Sequence, residues 1–171
     1  MSQTLVLTVL GDDRPGLVGE LASVIAAHDG NWLESSFSQL AGKFAGIVRV
    51  DVADPKAAGL QAALLALSNL HIVCEIAGSS AVQYTRALSL SLVGHDRIGI
   101  VKEVSQVLAR HAVNVVSLTT HTDSAPMSSE LMFHADIALE AGAALDTRAL
   151  KADLEQLSDD LMVDVQLGEL L

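Results

Sequence analysis

Residues 11–20 read GDDRPGLVGE, and residues 94–103 return the pattern as GHDRIGIVKE. Each copy follows a strand-like run and opens a helix-like one, so its glycines sit where the backbone must turn sharply and then present bare N–H groups. Pro15 suits a first helical position, where its missing N–H costs nothing and its fixed φ already matches the helix. Gly16 leaves the backbone beside it uncovered. A helix start carries unsatisfied donors and the positive end of the macrodipole, so a small carboxylate or phosphate can dock there. A capped strand-to-helix turn with no ligand fits the same residues.

A second set able to do chemistry is His121, Asp123, His134 and Asp136, two His-x-Asp pairs on neighbouring strand candidates. A spacing of two sends each pair to one face, and imidazoles with carboxylates can hold a divalent metal. The hairpin register suggested by the intervening loop sets the pairs diagonally, however, and a polar solvent face explains them without a ligand. No metal and no cofactor is therefore assigned. His28 and His111 fall at helix ends, where a basic group complements the macrodipole. Cys74, the single cysteine, lies in the apolar run HIVCEIA and reads as a small buried hydrophobe in a reducing compartment. The sequence has no Gly-rich phosphate loop or nucleophile elbow, so no catalytic residue is named and the chain is not read as an enzyme.

What must position these residues is a repeat. Residues 11–31 and 94–114 are identical at ten of twenty-one positions, among them Gly11/Gly94, Asp13/Asp96, Arg14/Arg97, Gly16/Gly99, Glu20/Glu103 and Asn31/Asn114. The offset is that of one small domain, so the chain reads as two copies, 1–80 and 84–171, with a small-residue linker at 78–81. In the first, Leu5, Leu7 and Val9 share one face of a strand over 4–10. Leu17, Leu21, Val24 and His28 form a helical stripe from Pro15 onward, ended by Gly30. Hairpin strands follow over 31–40 and 44–53. Asp54 then caps a helix begun by Pro55 and striped by Leu60, Leu64 and Leu67, and a strand over 71–77 turns Ile72, Cys74 and Ile76 to one side.

The second copy repeats the order. Leu88, Leu90 and Leu92 mark its first strand, and Ile100, Val104, Val107 and His111 its first helix. Strands over 113–123 and 129–139 are joined by SAPMSS, the latter pointing Leu131, Phe133, Ala135 and Ile137 one way. Asp146 caps the helix carrying Leu150, Leu154 and Leu157, and 161–167 close the unit. The order βαββαβ implies an α+β, ferredoxin-like unit: an antiparallel four-stranded sheet with both helices on one face. Val6 and Leu10, on the opposite face, are too apolar for a fully wet surface, which predicts a cover from the other repeat or another chain.

Charge excludes one class of partner. Ten Lys and Arg against twenty-one Asp and Glu give a formal net charge of −11, the wrong sign for neutralising phosphates, so no direct nucleic-acid binding is expected. No apolar run is long enough for a membrane span, and no charged-then-apolar leader is present, which predicts a cytoplasmic protein.

The Gly–Asp–Arg–Pro–Gly–Leu–Val turn, the helix after it, the Gly30–Asn31 entry to the second strand and the βαββαβ order together resemble ACT domains. Two of them filling the chain resemble the glycine cleavage system transcriptional repressor family. The resemblance implies an amino-acid-sensing regulator, glycine-responsive, homo-oligomeric, and acting on transcription through a DNA-binding activator protein. Carried over by position, it implies ligand-binding roles for Asp13, Arg14, Pro15, Gly16, Leu17 and Asn31, and for Asp96, Arg97, Ile98, Gly99, Ile100 and Asn114. Asp13 and Asp96 would accept an ammonium while the helix N–H groups hold a carboxylate, a pairing suited to a zwitterion; local capping of the turn is the other role open to them. Ile98 in place of Pro15, and Val113 in place of Gly30, set the two sites apart. An ACT-like oligomerisation module that senses nothing remains the competing reading.

Overall fold

Strand alternation sets the first layer. In the computed structural model, which describes residues 1–78, 83–127 and 129–168, Leu5, Leu7 and Val9 are buried on one face of β1 (Ser2–Asp12). Helix α1 (Leu17–Ala27) lays Leu17, Leu21 and Ile25 into that core. Next come β2 (Asn31–Leu40), β3 (Lys43–Ala53), α2 (Asp54–Leu65) and β4 (Leu70–Ile76). The sheet order is β2-β3-β1-β4 with every neighbour antiparallel. Ala41 and Gly42, at φ 50 and 78, make the two-residue turn between β2 and β3, as a hairpin with both central residues left-handed requires.

The second unit repeats this with β5 (Arg86–His95), α3 (Ile100–Arg110), β6 (Asn114–Ser124), β7 (Leu131–Ala141), α4 (Thr147–Glu155) and β8 (Met162–Gly168), in the order β6-β7-β5-β8. Leu88, Leu90, Leu92, Phe133, Ala135 and Ile137 form the sheet side of its core, and Ile100, Val104, Val107, Leu150 and Leu154 the helix side. The chain is thus an α+β protein of two ferredoxin-like units, Met1–Ser79 and Ser80–Leu171, each a four-stranded antiparallel sheet with its helices on one face. The linker read at 78–81 lies outside the described residues beyond Gly78, as does Ser128 of the SAPMSS loop.

Several local expectations are corrected. Asp54 is the first residue of α2 and not its cap; Ala53 holds that position without a side-chain bond. Asp146 does cap α4, its Oδ1 accepting the Arg148 and Ala149 N–H groups at 3.0 and 3.1 Å. The left-handed residue after α1 is Asp29, φ 53, rather than Gly30. Ile76 and Leu131 are exposed, because each ends its strand beyond the cover of the helices. The β6–β7 register also differs: Ser124 pairs with Leu131, and the Ala125 N–H donates to the Glu130 carbonyl, so β6 ends one residue later and β7 begins two residues later than expected. His121 therefore lies directly opposite His134, not diagonal to it.

One edge strand of each sheet carries a bulge, between Trp32 and Glu34 in β2 and between Val115 and Ser117 in β6. One extra residue reverses the alternation. Trp32 and Phe37, at an odd spacing, thereby pack on the same core.

Candidate functional site

The repeated turn is built by its second glycine. Gly16 adopts φ 91, ψ −3 and Gly99 φ 92, ψ −1. These are the angles of the third residue of a type II turn, a conformation that strains any residue with a Cβ. Pro15 and Ile98 precede them in the position that accepts proline without demanding it, which accounts for the difference between the copies. Pro15 is accordingly a turn residue, and the first helical residue is Leu17. Among the described residues no side chain caps α1 or α3, so, apart from the Ile100 N–H, which donates to the Arg97 carbonyl at 3.4 Å, their leading N–H groups keep donors for a guest.

Around each turn the charges are partly committed. Arg14 Nη2 donates to Glu20 Oε2 at 2.5 Å, and Arg97 makes two such bonds to Glu103, at 3.0 and 2.5 Å. Those bonds hold the Glu103 carboxyl below its ordinary range and raise the Arg97 guanidinium. Asp13 and Asp96 are anchored only through the backbone, their N–H groups donating to the Gly42 and Leu131 carbonyls at 2.9 Å. Among the described residues their carboxylates meet no donor, so neither caps the turn.

In the first unit this arrangement surrounds an open hollow of about 190 Å³ lined by Asp13, Arg14, Gly16, Leu17, Val18, Gly19 and Phe44. Four of the expected residues meet there. Sequence reasoning missed Gly19, Phe44 and the partner Glu20; the identity of Glu20 and Glu103 was the available signal. Gly19 has open space where a Cβ would stand, whereas the second repeat carries Lys102 at that position.

Asn31 and Asn114 do not join these groups within their own units. Asn31 pairs with Asp51, which pairs with Thr4, whereas the turn follows Asp12. Eight strand residues separate the two ends, about 27 Å at the usual rise. Asn114, opposite Glu140 and through it Ala87, is set at the far end in the same way.

The second turn has an added acidic neighbour. Asp160 accepts a bond from the Ser158 hydroxyl and another, 2.7 Å long, from the His95 N–H. Led by the Ser158 bond, these hold its carboxyl down to about 2. His95 also reaches Glu130, Nε2 to Oε2 at 3.0 Å. Cys74 is half-buried at the edge of the first core, where desolvation pushes its thiol up, as suits an inert hydrophobe. Among the described residues no helix is long and apolar enough to cross a membrane.

Comparison with known proteins matches this geometry in both units. One family model, described as ACT domain, matches residues 3–73, and a second, also ACT domain, matches residues 88–159. A crystal structure of an unknown protein from Galdieria sulphuraria superposes with a TM-score of 0.87 at 28% identity, covering 98% of this chain and 99% of that one. Another, described as a "putative glycine cleavage system transcriptional repressor", has a TM-score of 0.73 at 17% identity and covers 99% of both chains, a likeness of fold. A UPF0237 protein of Methanopyrus kandleri is 41% identical over 49 residues, 29% of this chain; the match spans about half, 54%, of that relative's length.

Proposed function

The chain belongs to the ACT-domain family through both of its repeats, and on that premise we propose an amino-acid-sensing regulator without catalytic residues, with domains at 1–80 and 84–171. One observation carries the reading: a free carboxylate, Asp13 or Asp96, stands beside an uncapped helix start at the same glycine turn in each repeat. A zwitterion answers both features, its ammonium meeting the carboxylate and its carboxylate the helix N–H groups. Arg14 and Arg97, already held by glutamates, shape the rim. Pro15, Ile98, Leu17 and Ile100 fix the turn, and Gly16 and Gly99 leave its backbone open.

Glycine is the favoured ligand, because one structure of the same fold is named for the glycine cleavage system. Asn31 and Asn114, at the opposite sheet ends, do not serve the turn of their own unit; a homo-oligomer supplies them from another copy. A net charge of −11 directs any effect on transcription through a DNA-binding activator protein in the cytoplasm, with the ligand shifting the balance between bound and free states.

The test is a melting screen of the full chain against the common amino acids. Glycine at about 100 times its dissociation constant should add about 2.7 kcal/mol and raise the melting temperature. Asp13→Asn and Asp96→Asn should each reduce the shift while leaving the unliganded melting temperature in place. A chain that no amino acid stabilises at millimolar concentration is the oligomerisation module instead.

A further inference from the structure

The face of the second sheet that its helices leave bare gathers three metal-ligating side chains near the end of the β6–β7 hairpin. His121 and His134 are cross-strand partners, and their rings stack with centroids 4.6 Å apart and planes 5° from parallel. Asp123, two residues further along β6, turns to the same face and places Oδ1 3.0 Å from His134 Nε2. One ligand atom from each of the three lies within 4.8 Å of the others. Asp136 stands apart: it faces Thr119 and accepts a bond from Ser91 Oγ at 2.5 Å.

We propose that His121, Asp123 and His134 bind one zinc-like divalent transition-metal ion. Two imidazoles and one carboxylate suit zinc, nickel or copper, whereas magnesium and calcium take oxygen donors. Metal–ligand bonds of about 2.0–2.2 Å bring donor atoms to roughly 3.3 Å from one another in a tetrahedral site. The trio must therefore close by about 1.5 Å, a matter of side-chain rotation, since the ladder already fixes the backbone of both strands. His121 and Asp123 are exposed and free to make that rotation toward the half-buried His134, and the open face leaves the fourth position to water or another donor. The excess of acidic groups draws a cation to this surface.

The first repeat supplies an internal control. Ser38, Leu40 and Ala45 occupy the positions of His121, Asp123 and His134, judged by the offset of the repeat and the pairing of Ser38 with Ala45. The trio is thus peculiar to the second repeat and separate from the glycine turn.

Equilibrium dialysis of the full, tag-free, chelator-stripped chain against zinc chloride, with bound metal counted by atomic absorption, decides the matter. About one zinc per chain is expected, and His121→Ala or His134→Ala should each weaken binding about tenfold or more. Asp123→Asn should weaken it less, and His71→Ala, in the other unit, should leave it unchanged. All of these variants should melt like the parent in metal-free buffer, because the side chains stand on an uncovered face. Cobalt chloride should give a visible absorption band that the His121→Ala/His134→Ala variant lacks. Zinc retained equally by that double variant, or displaced by a tenfold excess of magnesium chloride, overturns the proposal.

Discussion

At the edge of the first core the space is closed by aromatic rings. Phe37 stacks on Phe44 with centroids 4.9 Å apart, Trp32 lies 6.1 Å from Phe37, and Gly46 beneath is so close that a Cβ there would fall 2.4 Å from the Phe37 ring. In the second unit Val115, Thr120 and Ala135 stand where Trp32, Phe37 and Gly46 do. An apolar crevice remains there, walled by Val101, Leu108, Val115 and Leu118. The glycine turns, by contrast, agree to within a degree in φ. The pair teaches that a backbone conformation open only to glycine is retained in both copies, while side-chain space is filled differently once its neighbours change in concert.

The largest effect should come from the part held in common. Gly16→Val and Gly99→Val place a β-branched residue at positive φ, which costs about 2 kcal/mol even though, among the described residues, no atom beyond the adjoining ones lies within 4 Å of either Cβ position. Unfolding in urea should show similar losses for the two. A loss confined to one of them would break the equivalence of the turns. Because the backbone itself is strained, these variants report on the turn, and the aspartates are the residues through which ligand binding is to be tested.

Next in size is the aromatic edge. Phe37→Ala should cost about 2 kcal/mol, less than for a fully buried ring because Phe37 is half-exposed. Thr120→Phe should not stabilise the second unit, since the Ala135 methyl occupies the place that Gly46 leaves free. Combining Thr120→Phe with Ala135→Gly should recover part of the packing. A gain from Thr120→Phe alone in urea unfolding would show that the glycine is incidental to the ring.

These contrasts also mark what was legible beforehand. The alternation of Leu5, Leu7 and Val9, and of Leu88, Leu90 and Leu92, announces half-buried strands, and the internal repeat announces two like units. Pro15–Gly16 is a type II turn signature that equally resembles proline opening a helix, and the helix starts at Leu17, two residues beyond the start that proline implies. The bulges at β2 and β6 leave no mark in composition, because either phase of those strands puts some apolar side chains on each face. The register of His121 against His134 depends on how far pairing runs into a loop, which loop length does not settle. Of the candidate site, Asp13 and Arg14 were visible as repeated charges beside a glycine. The distance to Asn31 was not, since a set of residues carried over by position does not say which end of a sheet each occupies.

The smallest expected difference lies at the end of each first strand. In the first unit Asp12 pairs with Lys43, whose bond lowers its carboxyl. The second unit has His95 there, and it is Asp160, bonded by the Ser158 hydroxyl and then the His95 N–H, whose carboxyl falls from its ordinary 3.8 to about 2. A carboxyl depressed in the folded state adds stability that is present above its unfolded pKa and lost as pH falls through its folded one. The Asp160 contribution should therefore be complete above about pH 4 and gone below about pH 2. Asp160→Asn keeps the shape of the side chain but removes the titrating group, so the variant should melt below the parent at pH 5 and approach it as the pH is lowered towards 2. Melting curves of both chains across that range make the comparison, with Asp12→Asn as the counterpart in the first unit. A constant gap between the parent and Asp160→Asn would mean that the bonds around Asp160 survive its protonation, and that the acid sensitivity of the chain belongs to the other depressed carboxyls, Asp12 beside Lys43 and Glu103 beside Arg97.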